Sequence, residues 1–159
     1  MYSGGVAARS KLKWVLNGAD ETSLAAFLDP PSGQTDYRVC VYDSSAVAQP
    51  RVAAIVPADA DCGGRACWNP AGRSTFKFRN PSGVNSDGIV SMKVAAGAQG
   101  RARLSALGRG GELNLPLLDL QLPVRLQLTA STGEETHCWE ASYSQSRVGS
   151  AESFRARGD

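Results

Sequence analysis

The chain has 159 residues, 42% of them hydrophobic, 7% aromatic and 20% charged, which supports a folded core of one or two small domains and excludes a disordered chain. Seventeen Lys and Arg residues against 15 Asp and Glu residues leave a formal net charge of +2, which gives no reason to expect a nucleic-acid or other polyacid partner. No window approaches the about 18 consecutive apolar residues that a membrane-spanning helix needs, so no membrane span is expected.

Residues 1–10 are predicted to form an extension that precedes a single domain at 11–159. The extension lacks the basic start and the apolar core of a signal peptide, so either a signal has been removed or the protein needs none.

Alternation of apolar and polar residues with a period of two predicts about nine β-strands. Clusters rich in Gly, Pro, Asn and Ser separate these runs and predict chain reversals. Short strands with regular turns indicate an all-β fold, an antiparallel β-sandwich of the immunoglobulin-like or jelly-roll-like kind. The runs predicted as strands are 11–16, 37–43, 52–56, 75–78, 89–95, 101–106, 120–128, 137–143 and 153–156.

The segment 23–28 is ambiguous, because Leu24, Phe27 and Leu28 have helical spacing in a run too short for periodicity to decide. Since its surroundings are all predicted as β-structure, we expect a strand that leads through the Pro-Pro-Ser-Gly turn into 37–43.

Four cysteines allow three disulfide pairings, and their spacing ranks these pairings. Cys62 and Cys67 stand at the ends of a loop with two glycines, so this bridge is the easiest to close. Cys40 then pairs with Cys138, and the two bridges predict an oxidising compartment. The alternative is four reduced thiols in a cytoplasmic protein or a zinc ion held by all four cysteines.

Strand parity adds a prediction about the position of the second bridge. In the runs 37–43 and 137–143 the alternate apolar residues share one face of the strand, and Cys40 and Cys138 lie on the opposite, polar face. Both thiols are therefore predicted to face outward. A bridge between outward cysteines requires that these two strands are neighbours in one sheet.

Several segments of the chain combine cysteines and aromatic residues in a fixed order. They are Tyr37-Arg38-Val39-Cys40-Val41-Tyr42-Asp43, Cys62-Gly63-Gly64-Arg65-Ala66-Cys67-Trp68, Phe76-Lys77-Phe78 with Asp87-Gly88-Ile89, His137-Cys138-Trp139-Glu140-Ala141-Ser142-Tyr143 and Phe154-Arg155-Ala156. Together they resemble an uncharacterised disulfide-containing β-domain that recurs in predicted secreted proteins of deltaproteobacterial type. The resemblance covers most of the chain from Lys11 onward and implies a compartment and a fold, without an activity.

Catalytic residues are predicted to be absent. His137 is the only histidine, so any Ser-His or Cys-His device must use it, and its neighbour Cys138 is expected to be disulfide-bonded. A glycosidase pair could draw on Glu134, Glu135 or Glu140, but the sequence does not place two of these carboxylates across a cleft. We therefore expect no enzyme activity.

No metal site and no cofactor are predicted as part of the fold. The loop 80–88 could offer oxygen atoms to Ca²⁺, with Asn85 and Asp87 as the candidate ligands, but it lacks the acidic spacing of an EF-hand. A turn rich in Asn and Asp that binds no metal is the favoured interpretation.

Aromatic residues suggest where a ligand would bind. Trp14 and Trp139 share the apolar parity of their strands and are predicted to lie in the core. Trp68 follows the disulfide loop and precedes Asn69 and a proline, so we expect it to be partly exposed. The predicted ligand-binding residues are Trp68, Arg65 and Asn69.

These features predict a secreted or cell-surface, non-catalytic interaction module that binds a surface glycan or another extracellular protein. The alternative is a self-assembling structural subunit of an extracellular fibre or surface layer, a homo-oligomer formed through sheet edges or through residues 1–10.

Overall fold

A computed structural model describes residue 1 and the ranges 10–45 and 49–159. Within these ranges no helical segment has the length and hydropathy needed to cross a bilayer. The extension predicted at 1–10 lies largely outside the described residues, which include only its two ends. The strands are β1 (Lys11–Ala19), β2 (Asp36–Tyr42), β3 (Val52–Val56), β4 (Trp68–Pro70), β5 (Thr75–Arg79), β6 (Ile89–Ala95), β7 (Ala102–Arg109), β8 (Val124–Ser131), β9 (Thr136–Tyr143), β10 (Ser146–Gly149) and β11 (Phe154–Ala156).

The strands form antiparallel sheets, which confirms the all-β prediction. One sheet has the order β1-β7-β6-β5-β4, a second has the order β3-β2-β8-β9, and β10 pairs with β11. The described residues form eleven strands, two more than predicted. The two that the sequence did not predict are β4 and β10, which at three and four residues are too short to show a clear alternation. The strand predicted at 120–128 corresponds to β8, which begins later, directly after Pro123.

One hydrophobic core collects the inward side chains of both large sheets. Strands β7 and β8 alternate strictly between buried and more exposed positions, as a sheet with one covered face requires. Two contacts join the sheets: the Tyr37 and Trp68 ring centroids lie 4.8 Å apart, and the Trp14 indole donates a hydrogen bond of 3.0 Å to the Tyr143 hydroxyl. Trp14 is buried and Trp139 is half-buried against the same core.

The strand predicted at 23–28 is wrong. Ala25–Phe27 is a single 3-10 turn, and Leu28 follows it with a φ of 57°, so the chain reverses at once. The turn inserts the Phe27 ring into the core, where it lies 5.1 Å from the Trp139 ring. A second short turn, Pro30–Ser32, then leads into β2.

The local disulfide is confirmed. Cys62 and Cys67 are bonded, with their Cα atoms 5.3 Å apart. Gly63 and Gly64 have φ values of 73° and 78°, a conformation that glycine adopts without steric cost.

The predicted disulfide between Cys40 and Cys138 is wrong, because both cysteines are free thiols. They lie in one sheet, as expected, but their strands are not neighbours, since β8 runs between β2 and β9. Cys40 is paired with Gln127 and Cys138 with Thr129. Two inter-strand spacings amount to about 9.6 Å, beyond the about 7 Å between Cα atoms that a disulfide can bridge.

We expect the two free thiols to react very differently with Ellman's reagent. Cys138 is exposed, whereas Cys40 is buried and its burial raises the pKa of the thiol, which lowers the thiolate fraction further. Without reductant, about one thiol per chain should react promptly in the native protein, and the second thiol should react only in denaturant. The Cys138→Ser variant should lose the thiol that reacts promptly. If no thiol reacts in either the native or the denatured protein, the second disulfide does form.

We expect Trp68→Ala to destabilise the fold by about 3–5 kcal/mol, because it removes a large ring that is buried in the hydrophobic core. The Trp68 side chain also lies 5.4 Å, between ring centroids, from Phe78. Urea unfolding followed by circular dichroism measures the loss, with Trp68→Phe as the conservative comparison. A loss below about 1 kcal/mol would contradict a core position for Trp68, since that is the size of an ordinary surface substitution.

Candidate functional site

A cleft of about 400 Å³ lies beside the disulfide loop. Its first wall is the Pro30–Ser32 turn, and its second wall is the chain that enters and leaves the loop. The loop is held by a hydrogen bond of 2.8 Å from the Gly64 amide to the Asp61 carboxylate. A backbone bond of 2.8 Å from the Cys62 amide to the Arg65 carbonyl adds to this, so the disulfide, glycines and hydrogen bonds together fix the shape of one wall.

Trp68 lies in the wall of this cleft, but the expectation that it is partly exposed is wrong. Its residue exposure is 3%, because β4 pairs with β5 and places Trp68 opposite the inward-facing Phe78. The Trp68 indole N–H is buried and has no hydrogen-bond partner among the described residues. Its neighbour Tyr37 is satisfied, since its hydroxyl donates a hydrogen bond of 2.8 Å to the Phe27 carbonyl. Burial strongly raises the pKa of Tyr37, so this hydroxyl stays protonated.

The other two residues predicted to bind a ligand lie at different places. Arg65 is exposed and lines the cleft together with Trp68, near the carboxylates of Asp59 and Asp61. Asn69 is exposed but is not among the residues that line the cleft. Its side-chain amide donates a bond of 3.3 Å to the Ala66 carbonyl. The structure thus brings two of the three predicted residues together.

A second cleft, of about 530 Å³, lies where the end of β1 meets the start of β9. The indole of Trp139 donates a hydrogen bond of 3.2 Å to the hydroxyl of Thr22 beside it. The lining of this second cleft includes the acidic residues Asp20, Glu21 and Glu140. Sequence reasoning missed this cleft, since the acidic pair at 20–21 lies four residues beyond the strand predicted at 11–16 and directly follows β1 only as the structure defines it.

His137 also lines the second cleft, and its side chain pairs with a carboxylate. Its Nε2 lies 2.8 Å from Glu135 Oε1; Glu135 is exposed and His137 is half-buried. Cys138, the next residue, faces the other side of the strand, because side chains alternate along β9. Glu134 is exposed, and Glu140 pairs with Arg125 at 3.6 Å. The structure thus brings His137 and Glu135 together. Cys138 has the opposite parity on β9, although it also lines the second cleft.

The loop 80–88, considered for Ca²⁺, uses its polar groups for its own conformation. Asn80 donates to the Val84 carbonyl at 2.7 Å and to the Ser86 hydroxyl at 3.0 Å. Asp87 accepts a hydrogen bond of 2.9 Å from the Ile55 amide, and Asn85 and Asp87 both have positive φ. In the described part of the chain no three His, Cys, Asp or Glu side chains are grouped as a metal would require. These contacts fit the turn interpretation.

Comparison of the chain with protein-family models, with curated proteins and with solved structures finds no match.

Proposed function

We propose that the protein is a secreted or cell-surface, non-catalytic interaction module that binds a surface glycan or another extracellular protein at the disulfide-loop cleft. The observation that supports this most is the fixed shape of that cleft, which the Cys62–Cys67 bridge and the loop hydrogen bonds maintain. Arg65 and the two nearby carboxylates supply hydrogen-bond donors and acceptors of the kind that hydroxyl-rich or peptide ligands use. A rigid rim lowers the entropy cost of binding.

The proposal includes the compartment and the arrangement of the sheets. A disulfide persists in oxidising environments, which supports an extracellular location. The shared core and the contact between Tyr37 and Trp68 support an antiparallel sandwich, of immunoglobulin-like or jelly-roll-like type, in which the two large sheets face each other. We also propose membership of the secreted deltaproteobacterial β-domain that the sequence resembles.

Arg65→Ala tests the cleft. On a glycan array, we expect the labelled wild-type protein to bind a limited set of glycans and Arg65→Ala to lose about tenfold in signal, because a charge-assisted hydrogen bond at the rim is removed. Arg147→Ala is the matched control, since Arg147 is equally exposed but lies on β10, away from the cleft. An array without any hit for the wild type would contradict glycan binding, and equal losses in both variants would contradict the assignment to this cleft.

The alternative, a self-assembling structural subunit, has some support from the edges of the sheets. Strands β1 and β9 are edge strands of nine and eight residues, and an edge strand exposes backbone groups to which another chain can pair. Lys11 and Lys13 on β1 oppose such pairing, because charge on an edge is a common defence against it. The ends of the predicted extension lie on the same domain, since Met1 bonds to Phe154 and Ser10 to Gly110. Residues 2–9 lie outside the described residues.

Size-exclusion chromatography with negative-stain microscopy tests this alternative. We expect monodisperse particles of one chain, near 16.7 kDa, because the interaction-module proposal needs no second copy. Fibres, or a peak that moves to larger mass as the protein concentration rises, would favour the structural subunit instead.

A further inference from the structure

The outer face of the five-stranded sheet is strongly basic. Its exposed side chains include seven lysines and arginines, here called the basic face: Lys11, Lys13, Lys77, Arg79, Lys93, Arg103 and Arg109. These are seven of the 17 Lys and Arg residues of a chain whose net charge is only +2. The remaining ten Lys and Arg residues against 15 Asp and Glu residues leave the rest of the molecule net negative.

The strand register shows that these residues share one face. Residues directly opposite in an antiparallel sheet project to the same side. Lys13 is opposite Leu107, Leu107 is opposite Ser91, and Ser91 is opposite Arg79, so cations on β1 and β5 occupy one row across the sheet. Lys77 and Lys93 belong to the next row. The residues between them along each strand are buried in the core.

Among the described residues, no acidic side chain forms an ion pair with the basic face. Strands β1, β4, β5, β6 and β7 contain neither Asp nor Glu, and none of the ion pairs among the described residues includes a cation of this face. The four-stranded sheet differs, since its outward Arg125 pairs with Glu140 at 3.6 Å. No such ion pair is found in the described part of the five-stranded sheet.

Two cation pairs on the basic face stand directly opposite each other. Lys77 faces Lys93, and Lys11 faces Arg109. Like charges in directly opposite positions destabilise a sheet, and a surface that serves only for solubility would mix both signs. Binding of a polyanion would remove this repulsion, so the cost within the fold indicates a function for the face.

We propose that the basic face binds an acidic polysaccharide, a chain of carboxylated or sulfated sugars. This inference rests on the proposed function as an extracellular interaction module and gives it a second, independent surface. Asn69, Thr75, Ser91 and Ser105 lie between the cations and offer hydrogen bonds to sugar hydroxyls. Neighbouring strands are about 4.8 Å apart and alternate residues about 6.8 Å apart, spacings comparable to the length of one sugar unit.

The composition of the face favours a polysaccharide over the other common polyanions. Single-stranded nucleic acids bind on aromatic side chains that stack with the bases. The aromatic residues of these five strands, Trp14, Trp68, Phe76 and Phe78, are all buried in the core. Membrane surfaces are bound with apolar anchors beside the cations. Of the exposed large hydrophobic residues in the described part of the chain, only Val15 lies on this face.

Binding to heparin and to polygalacturonate tests the proposal, with neutral dextran, a double-stranded DNA and vesicles of phosphatidylglycerol and phosphatidylcholine as comparisons. We expect the wild type to bind both acidic polysaccharides, with an affinity that falls as NaCl rises from about 50 mM to about 200 mM. The triple variant Lys13→Gln, Lys77→Gln, Lys93→Gln should lose at least about tenfold in affinity. The control variant Arg38→Gln, Arg147→Gln, Arg157→Gln removes the same charge from exposed positions elsewhere and should stay within about twofold.

The thermal midpoint shows whether the triple variant is folded, and it should not fall, because the variant relieves the repulsion between Lys77 and Lys93. Equal losses in both triple variants would overturn the proposal, as would tighter binding to DNA or to the anionic vesicles than to either polysaccharide. Absence of binding to any polyanion would also overturn it. The cleft is judged separately, since Arg65→Ala should leave heparin binding unchanged and the basic-face variant should leave the array pattern of the cleft unchanged.

Discussion

Burial of alternate residues of the two large sheets in a shared core is the constraint on which the other features of this protein depend. When Leu12 and Trp14 enter the core, Lys11 and Lys13 must face solvent, and the same rule holds on β5, β6 and β7. The surfaces are consequences of this burial. The basic face consists of the residues that the five-stranded sheet cannot bury, and the disulfide-loop cleft forms where the chain crosses between sheets over Trp68.

Local features could be predicted from the sequence, and features that depend on the order of strands could not. The bridge between Cys62 and Cys67 needed only a short loop with two glycines. The pairing of Cys40 with Cys138 failed although the parity of each strand indicated an outward cysteine, because no local pattern shows that β8 inserts between their strands. Trp68 was misplaced for the same reason, since its strand is three residues long and is defined by its partner β5.

The basic face shows the same limit for charge. The lysines and arginines of each strand occupy its polar positions in the sequence. The net charge of the whole chain is near zero, so it gives no sign that these cations share one surface. Only the register that sets Lys77 opposite Lys93 and joins β5 through β7 to β1 makes these residues one surface. The candidate cleft was partly predictable, because Arg65 and Trp68 flank the local disulfide, whereas the contribution of Pro30 and Pro31 arises from folding.

Strand β4 belongs to two surfaces at once, since Trp68 lines the cleft and Asn69 lies on the basic face beside Lys77. A slip of this short strand by one residue would carry the indole to the outside and the amide into the core. Cys67 precedes Trp68 and is disulfide-bonded to Cys62, so the disulfide fixes the register of this three-residue edge strand. An insertion in the turn 71–74 that shifts β4 against this constraint would therefore disrupt the cleft and the basic face together.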